Sequence, residues 1–329
     1  MPTDPTLSLI LPDWNPRAAL EPLRLPWLDA AGLELAVLRL DALDPLVSGN
    51  KWFKLAPWLA RAGDDGAEGV ISLGGAHSNH LHALAAAGAR FGFPTVGLLR
   101  GEPQDTPTVQ DLRRFGMKLH WLGYGGYRAR HQTGFWEPWR QRYPRYQPVP
   151  EGGGGLPGAQ GCAALVAMIR EQLPALGWED YHSLWTAAGT GTTLAGLVLG
   201  ESGAHPVIGA LAVPADHGVA ERVSGILAEA SCADAGYRLI DASRGGFARV
   251  DAELARFLLD SERDGGIDLE PLYTAKALLA IHDEAHAGRI PSGSRLVLLH
   301  TGGLQGRRAL HDELLRLTGY TDRAVEAQG

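Results

Sequence analysis

Apolar runs that end in glycine, each followed by a segment of helical period, recur along most of this chain. That rhythm narrows its possible folds more than any other feature. Residues 69–75 (GVISLGG) read as a buried strand, 78–92 as a helix, 94–101 as a strand, 106–116 as a helix and 117–123 as a strand. A polar, aromatic stretch rich in proline and glycine spans 124–158 and reads as a loop and domain crossing with a helix inside it. The rhythm then resumes. Helices are predicted over 158–173, 191–200, 216–231, 251–266 and 274–288 and from Leu304 onward, with strands over 181–188, 205–214 and 295–303 and an extended run at 238–244. Strands that alternate with helices build parallel sheets covered on both faces. The chain has 329 residues and is 45% hydrophobic, enough for two such units. The expected fold class is α/β with two parallel-sheet domains. The smaller spans 53–157. The larger joins 1–52 to 158–329, the first fifty or so residues packing on the second lobe.

Charge and cysteine content remove several function classes. The net charge is −7 and no basic run or basic–aromatic stripe is present, so neither nucleic acid nor an anionic membrane is an expected partner. Cys162 and Cys232 stand alone, without C-x-x-C spacing, which argues against a disulfide framework or a structural metal. No stretch reaches ~18 uncharged apolar residues, so no membrane span is expected. Residues 1–15 lack the basic start and long apolar run of a secretion signal, and a cytoplasmic location is the expectation.

Three glycine-rich corners carry chemistry. At 187–196 (AAGTGTTLAG), Gly189 and Gly191 let backbone N–H groups converge, Thr190, Thr192 and Thr193 add hydroxyls, and the following helix contributes its positive end. That combination suits a phosphate, although a tight turn would use the same residues. Leu194 stands where a dinucleotide fingerprint needs its third glycine, and no Walker lysine follows. At 73–80 (LGGAHSNH), Ser78 and Asn79 sit at a helix start, where either is also an ordinary N-cap. His77, His80 and His82 in this corner raise a metal-dependent hydrolase as the reading from another class, without a carboxylate in the segment to complete it. At 298–303 (LLHTGG), Thr301 falls at a strand's carboxyl end, where open α/β sheets bind ligands.

Residues 47–63 (VSGNKWFKLAPWLARAG) set a further question. Lys51 opens an amphipathic helix crowded with Trp52, Phe53, Leu55, Trp58 and Leu59, so it either snorkels to water or is kept dry. A dry lysine has a lowered pKa and becomes a nucleophile. Joined with a phosphate loop and hydroxyl-rich strand ends, it suits pyridoxal 5′-phosphate.

The motifs taken in order resemble the D-cysteine desulfhydrase and 1-aminocyclopropane-1-carboxylate deaminase family. They are SGNK at 48–51 with Lys54 and Leu55, GG at 74–75, SNH at 78–80, the AGTGTTLAG loop, LEP at 269–271 with YTAK at 273–276, and HTGG at 300–303. The resemblance implies a tryptophan-synthase-β-like fold (fold type II), a homodimer, pyridoxal phosphate as cofactor and a small amino acid as substrate. It matches Lys51 to the lysine that forms the Schiff base and Asn79 to the residue bonding the cofactor's phenolic oxygen. Ser78 matches a serine that contacts substrate, next to His80 in the same substrate-binding corner. The phosphate cradle falls on Gly189, Thr190, Gly191, Thr192 and Thr193, the active-site tyrosine on Tyr273, and the residue beside the pyridine nitrogen on Thr301. In the deaminases the tyrosine is followed by Glu and the H-x-G-G motif carries Leu. Thr274 and Thr301 place this chain on the desulfhydrase side, with α,β-elimination to pyruvate, ammonia and sulfide. The deaminase, or a paralogue acting on another small D-amino acid or a β-substituted alanine, is the alternative, because Trp52, Phe53, His82 and the GGGGLPG segment at 152–158 depart from the family pattern. Tyr273 is equally a core aromatic, Thr274 an N-cap and Cys162 a small buried hydrophobe. A protein that only holds the cofactor phosphate would also keep the threonine loop.

Overall fold

Two glycine-edged sheets organise the computed structural model, which describes residues 9, 14–246 and 248–320. In chain order the elements begin with β1 (Leu20–Leu23), α1 (Pro26–Ala31), β2 (Glu34–Arg39) and α2 (Lys51–Asp64). Next come β3 (Gly69–Gly74), α3 (Asn79–Phe91), β4 (Thr95–Leu99), α4 (Pro107–Arg114) and β5 (Lys118–Trp121). Short helices α5 (Gly123–Arg128) and α6 (Glu137–Arg142) lead to β6 (Tyr146–Pro148). The chain continues through α7 (Leu156–Arg170), β7 (Ser183–Ala188), α8 (Thr192–Glu201), β8 (Val207–Leu211), α9 (Val219–Glu229) and β9 (Tyr237–Asp241). It ends with α10 (Ala252–Gly265), α11 (Thr274–His286), β10 (Arg295–His300), α12 (Leu304–Arg307) and α13 (His311–Thr318).

The larger sheet has strand order β1-β2-β10-β7-β8-β9 and the smaller β5-β4-β3-β6. Every pairing is parallel except β1 with β2. This is the α/β class expected from the alternation. Strands β1 and β2, which the alternation had not marked, join the larger sheet beside β10, whereas Leu9 and Trp14 pack with the core of the smaller lobe. The expected divisions at 52–53 and 157–158 fall in the first turns of α2 and α7.

Strand β6 departs from the sequence reading of 124–158 as loop and helix. It has only three residues, one of them proline, and so carries no period. It forms because the edge of β3 offers backbone partners, Gly69 to Ile71 facing Tyr146 to Pro148. The aromatic residues of the same stretch pack on the outer face of that sheet: Tyr127 and Tyr143 are buried against Ile71, Leu73, Val96 and Leu98, with Phe135, Trp136 and Trp139 around them. The expected helix from Leu304 is broken into α12 and α13, and its last part, 321–329, lies outside the described residues, as do residues 1–8 and 10–13. Among the described residues no helix is long and apolar enough to cross a membrane.

Helix α2 continues through Pro57, whose missing N–H leaves the carbonyl of Phe53 without its partner four residues on. That carbonyl abuts Gly161 of α7, and α7 in turn lies on α8 with Gly196 against Ala159 and Cys162. Small residues therefore let α2, α7 and α8 approach closely, which brings the head of α2 beside the head of α8.

Candidate active site

The carboxyl ends of β3, β7 and β10 face one cleft, and each of the three corners read from the sequence lies there. Lys51 reaches it through a loop that the end of β10 holds from behind. Gly49 (φ +81°) and Gly302 (φ +79°) lie back to back, so close that a Cβ on Gly302 would stand 2.5 Å from Gly49 Cα. Asn50 N donates to Thr301 O (3.1 Å), Asn50 Nδ2 donates to Thr193 Oγ1 (2.9 Å), and Lys51 Nζ donates to Asn50 Oδ1 (2.7 Å). One asparagine thus joins the lysine, the threonine loop and the end of β10. The loop is braced further by Ser48 Oγ donating to Asp41 O (2.9 Å), while the Asp41 carboxylate pairs with Arg39 (2.7 Å) and approaches His300 Nδ1 (3.5 Å).

The threonine loop opens α8. Gly191 is its N-cap in the left-handed region, and no side chain caps it. Thr192 and Thr193 are buried there. A buried helix start whose N–H groups lack a side-chain acceptor is an anion site. The four-glycine run at 152–155 lies against it: a Cβ on Gly152 would stand 3.4 Å from Thr190 Cγ2, one on Gly154 3.6 Å from Thr192 Oγ1, and one on Gly153 2.9 Å from Lys54 Cβ. Any side chain at Gly153 would also stand at φ +68°. Arg222 Nε donates to Thr190 O (3.1 Å) from outside.

At the β3 corner Ser78 is the N-cap of α3, its Oγ accepting from Leu81 N at 3.2 Å. Asn79 lies beside Gly303, where a Cβ would be 2.7 Å from Asn79 Nδ2 and 3.1 Å from Glu270 Cγ. The three histidines part. His77 is exposed, His80 is buried with Nε2 2.7 Å from Ser72 Oγ, and His82 Nε2 turns to Asp111 Oδ2 at 3.3 Å. Among the described residues no group of three His, Cys, Asp or Glu side chains is placed to hold a metal ion, so the hydrolase reading fails on geometry.

At α11 the structure corrects the capping assignment. Thr274 does not cap the helix; it is the first helical residue, wholly buried, and its Oγ1 has no partner. No side chain caps α11; Glu270 instead fixes the two residues before it, its carboxylate oxygens accepting from Leu272 N (2.9 Å) and Tyr273 N (2.7 Å). Tyr273 is thereby leaned over Gly189, whose Cβ would stand 3.0 Å from Tyr273 Cε1.

Burial sets the electrostatics. Loss of water, with Lys54 close by, pushes the Lys51 ammonium down to about 7, and desolvation also lowers Lys54. Burial raises Glu270 to about 7 and, with the Glu270 and Glu151 charges, holds the Tyr273 phenol above its ordinary range. His80 falls to about 3, desolvated and facing Lys51 and Lys54, so it is a neutral ring. Lys51 itself is half-buried, its Nζ turned onto Asn50 Oδ1 rather than out along the helix surface.

The structure brings the Lys51 loop, the threonine loop, Asn79, Tyr273 and Thr301 close to one another, whereas His77 faces solvent and His82 turns to Asp111. Ser78 Oγ is turned back on Leu81 and Gly74, so its hydroxyl hydrogen is the part left to donate. Sequence reasoning assigned no part to Lys54 or Glu270, although both fall inside motifs it quoted. A charged residue retained in an apolar turn is the signal that finds them. It also missed Gln305, for which no local signal exists.

These residues fit pyridoxal phosphate. The uncapped start of α8 and its threonine hydroxyls suit the phosphate, the dry amine of Lys51 suits the aldehyde, and the Asn79 amide and Thr301 hydroxyl are donors for ring substituents. The family model for pyridoxal-phosphate dependent enzymes matches residues 20–302. A protein described as a putative 1-aminocyclopropane-1-carboxylate deaminase from Pyrococcus horikoshii is 26% identical over 296 residues, 87% of this chain and 89% of that one. A D-cysteine desulfhydrase from Salmonella newport is 27% identical over 306 residues, 86% and 90% of the two chains. A bifunctional mitochondrial D-cysteine desulfhydrase/1-aminocyclopropane-1-carboxylate deaminase from Arabidopsis thaliana is 27% identical over 312 residues, covering 89% of this chain and 78% of that one. A solved structure described as an ACC deaminase homologue superposes with a TM-score of 0.79 at 24% identity, over 94% of this chain and 96% of the other.

A pH test follows from Lys51. An ordinary lysine gains free amine tenfold per pH unit up to about pH 10. With Lys51 at about 7, free amine saturates just above neutrality. The rate at which apoenzyme mixed with pyridoxal phosphate develops its visible band is expected to climb to about pH 7.5 and then level. A rate still rising tenfold per unit at pH 9 would put Lys51 at its ordinary value.

Proposed function

The chain belongs to the family of pyridoxal-phosphate dependent enzymes, and from that premise we propose that it is a lyase for a small amino acid, D-cysteine before others. The reaction consumes D-cysteine and water and yields pyruvate, ammonia and hydrogen sulfide. We read the working form as a homodimer in the cytoplasm, on the family resemblance; sedimentation at the mass of one chain would overturn the dimer.

Bound pyridoxal phosphate supplies an electron sink for the pair left on the substrate's Cα. The chain's own groups do the rest. The threonine loop and the first N–H groups of α8 would hold the phosphate, and Lys51 Nζ would hold the aldehyde carbon. As a free amine, Lys51 Nζ then accepts the α-proton. Ser78 Oγ donates to the substrate carboxylate. Tyr273 Oη keeps its proton at neutral pH, because burial and the neighbouring Glu270 hold the phenol above its ordinary range, and delivers it to the departing sulfur.

The observation that carries elimination from cysteine over ring opening is the pair of hydroxyls at Thr274 and Thr301, the first wholly buried and without a partner. A buried hydroxyl left unmatched is costly and is completed when a ligand arrives. A hydroxyl beside the pyridine nitrogen leaves that nitrogen uncharged more readily than a carboxylate would. The sink is then weaker, sufficient for a thiolate leaving group and less so for an unactivated cyclopropane. Purified, cofactor-loaded protein is expected to release sulfide and pyruvate in equal amounts from D-cysteine, and little from L-cysteine. A yellow protein that releases neither would overturn the substrate while leaving the cofactor in place, and no turnover of any amino acid would make it a binding protein. The deaminase reading is favoured by the names of the Pyrococcus relatives; 2-oxobutyrate and ammonia from 1-aminocyclopropane-1-carboxylate would establish it.

Tyr273→Phe separates the acid from the rest of the site. The expected result is a kcat for D-cysteine lower by roughly 10²–10⁴, the range for loss of a positioned acid, with KM little changed. With β-chloro-D-alanine, whose chloride needs no proton, the variant should work within a few-fold of the parent. Equal losses on both substrates would remove Tyr273 from the acid role.

A further inference from the structure

Helix α12 leaves the end of the larger sheet and runs against the smaller one. Gln305 Nε2 donates to Asn79 Oδ1 at 2.9 Å. Arg308, just past α12, pairs with Asp111 of α4, the carboxylate that His82 also faces. The segment therefore ties β10 to the head of α3 and to the middle of α4.

The bond to Asn79 has a directional consequence. A side-chain amide carries its acceptor on one edge and its two donors on the other, so fixing the oxygen fixes the N–H groups. Asn79 Oδ1 is held between Gln305 and Gly306, where a Cβ would stand 3.4 Å away. Nδ2 points the other way, toward Gly303 and, beyond it, Glu270. Because Gly303 has no side chain, that direction stays open; a Cβ there would be 2.7 Å from Nδ2.

We infer that Gln305 is the positioning residue that locks the Asn79 amide with its N–H groups toward the cleft, so that a donor and not a carbonyl meets the anionic phenolic oxygen of the cofactor. This rests on the reading of Asn79 as the residue that bonds that oxygen. Reversal of the amide would set oxygen against oxygen.

Two variants of Gln305 separate orientation from simple support. Gln305→Ala removes the lock and leaves Asn79 to choose. Gln305→Glu keeps the shape but can only accept, so it recruits Asn79 Nδ2 and turns the carbonyl inward. Retention of pyridoxal phosphate, read from the visible band on dilution, and the pH midpoint of that band are measured for both, alone and with Asn79→Ala. Gln305→Ala is expected to weaken retention roughly 3- to 10-fold, the scale of one hydrogen bond. Gln305→Glu should weaken it more, and both should shift the midpoint. Neither should have a further effect when Asn79 is alanine, since the two then share one route. Thermal melting near that of the parent verifies folding. If Asn79→Ala weakens retention but the Gln305 variants do not, the lock is wrong and the reading of Asn79 stands. If the Gln305 effects persist undiminished without Asn79, or alanine costs more than glutamate, Gln305 acts by another route and the inference is overturned. If Asn79→Ala itself changes nothing, the reading beneath the inference falls with it.

Discussion

Lys51→Ala is expected to yield a folded protein that shows no visible band with pyridoxal phosphate and turns over D-cysteine at least roughly 10³-fold more slowly than the parent. Two losses combine. The amine that anchors the cofactor is gone, and so is the base for the α-proton, whose removal alone costs roughly 10²–10⁴. Folding should survive, because burying an ammonium on a helix start that needs no lysine is itself unfavourable, and alanine is the better helix former. Replacement of a desolvated lysine by alanine is expected to leave the apoprotein's melting temperature unchanged or raised. Absorbance between 400 and 450 nm after dialysis against cofactor is the measurement. A yellow, active Lys51→Ala protein would remove Lys51 from its role and leave Lys54, the buried amine of α2, as the anchoring amine.

Gly302→Ala should damage the same site without touching any group that meets the ligand. Gly302 has φ +79°, which costs an L-residue about 1–2 kcal/mol, and its Cβ would lie 2.5 Å from Gly49 Cα and 3.0 Å from Gly49 N. These are backbone atoms and cannot rotate aside. Relief requires that the loop carrying Asn50 and Lys51 move off the end of β10, breaking the bond from Asn50 N to Thr301 O. Strain and overpacking together come to about 3 kcal/mol, a fall in Tm of about 4 °C for a chain of this size. Retention of the cofactor should drop at least roughly tenfold, since a misplacement of about 1 Å suffices for losses of that order. Gly225→Ala is the control: it lies within α9 with nothing within 4 Å of its Cβ, and should melt at or above the parent temperature. Differential scanning calorimetry of both decides the matter. A Gly302→Ala protein melting within a degree or two of the parent, fully coloured, would show that the loop is not held there.

Much of the architecture was legible because it is local. Buried parallel strands are continuous apolar runs and helices repeat at 3.6 residues, so β3, β4, β7, β8 and β10 and the helices after them announce themselves. Ser78 as the cap of α3 was legible for the same reason, since a cap acts over three residues. Where the reading failed, the competing partner was distant. Thr274 was a sound cap by type, but Glu270 fixes the approach at Leu272 and Tyr273 so that Thr274 enters the helix as its first residue with its hydroxyl unpartnered. The histidines at 77, 80 and 82 looked like a metal cluster, but the start of α3 turns them toward Ser72, Asp111 and solvent.

The alternation of buried strands with helices from β3 onward, and the glycine–threonine turn before α8, were determined by the sequence alone, through period, capping and turn chemistry within a dozen residues of each other; the role of Lys51 rested on the whole set of motifs. Tertiary structure decided what those groups can do. Lys51 becomes an amine near neutrality because burial strips water from it and the Lys54 charge stands close by, against the opposing pull of Glu270. Glu270 holds Tyr273, Gln305 turns Asn79, and the glycines at 152–155 make room beside Thr190 and Thr192. Desolvation and donor direction depend on atoms that are neighbours in space and remote in the chain, and no local pattern encodes them.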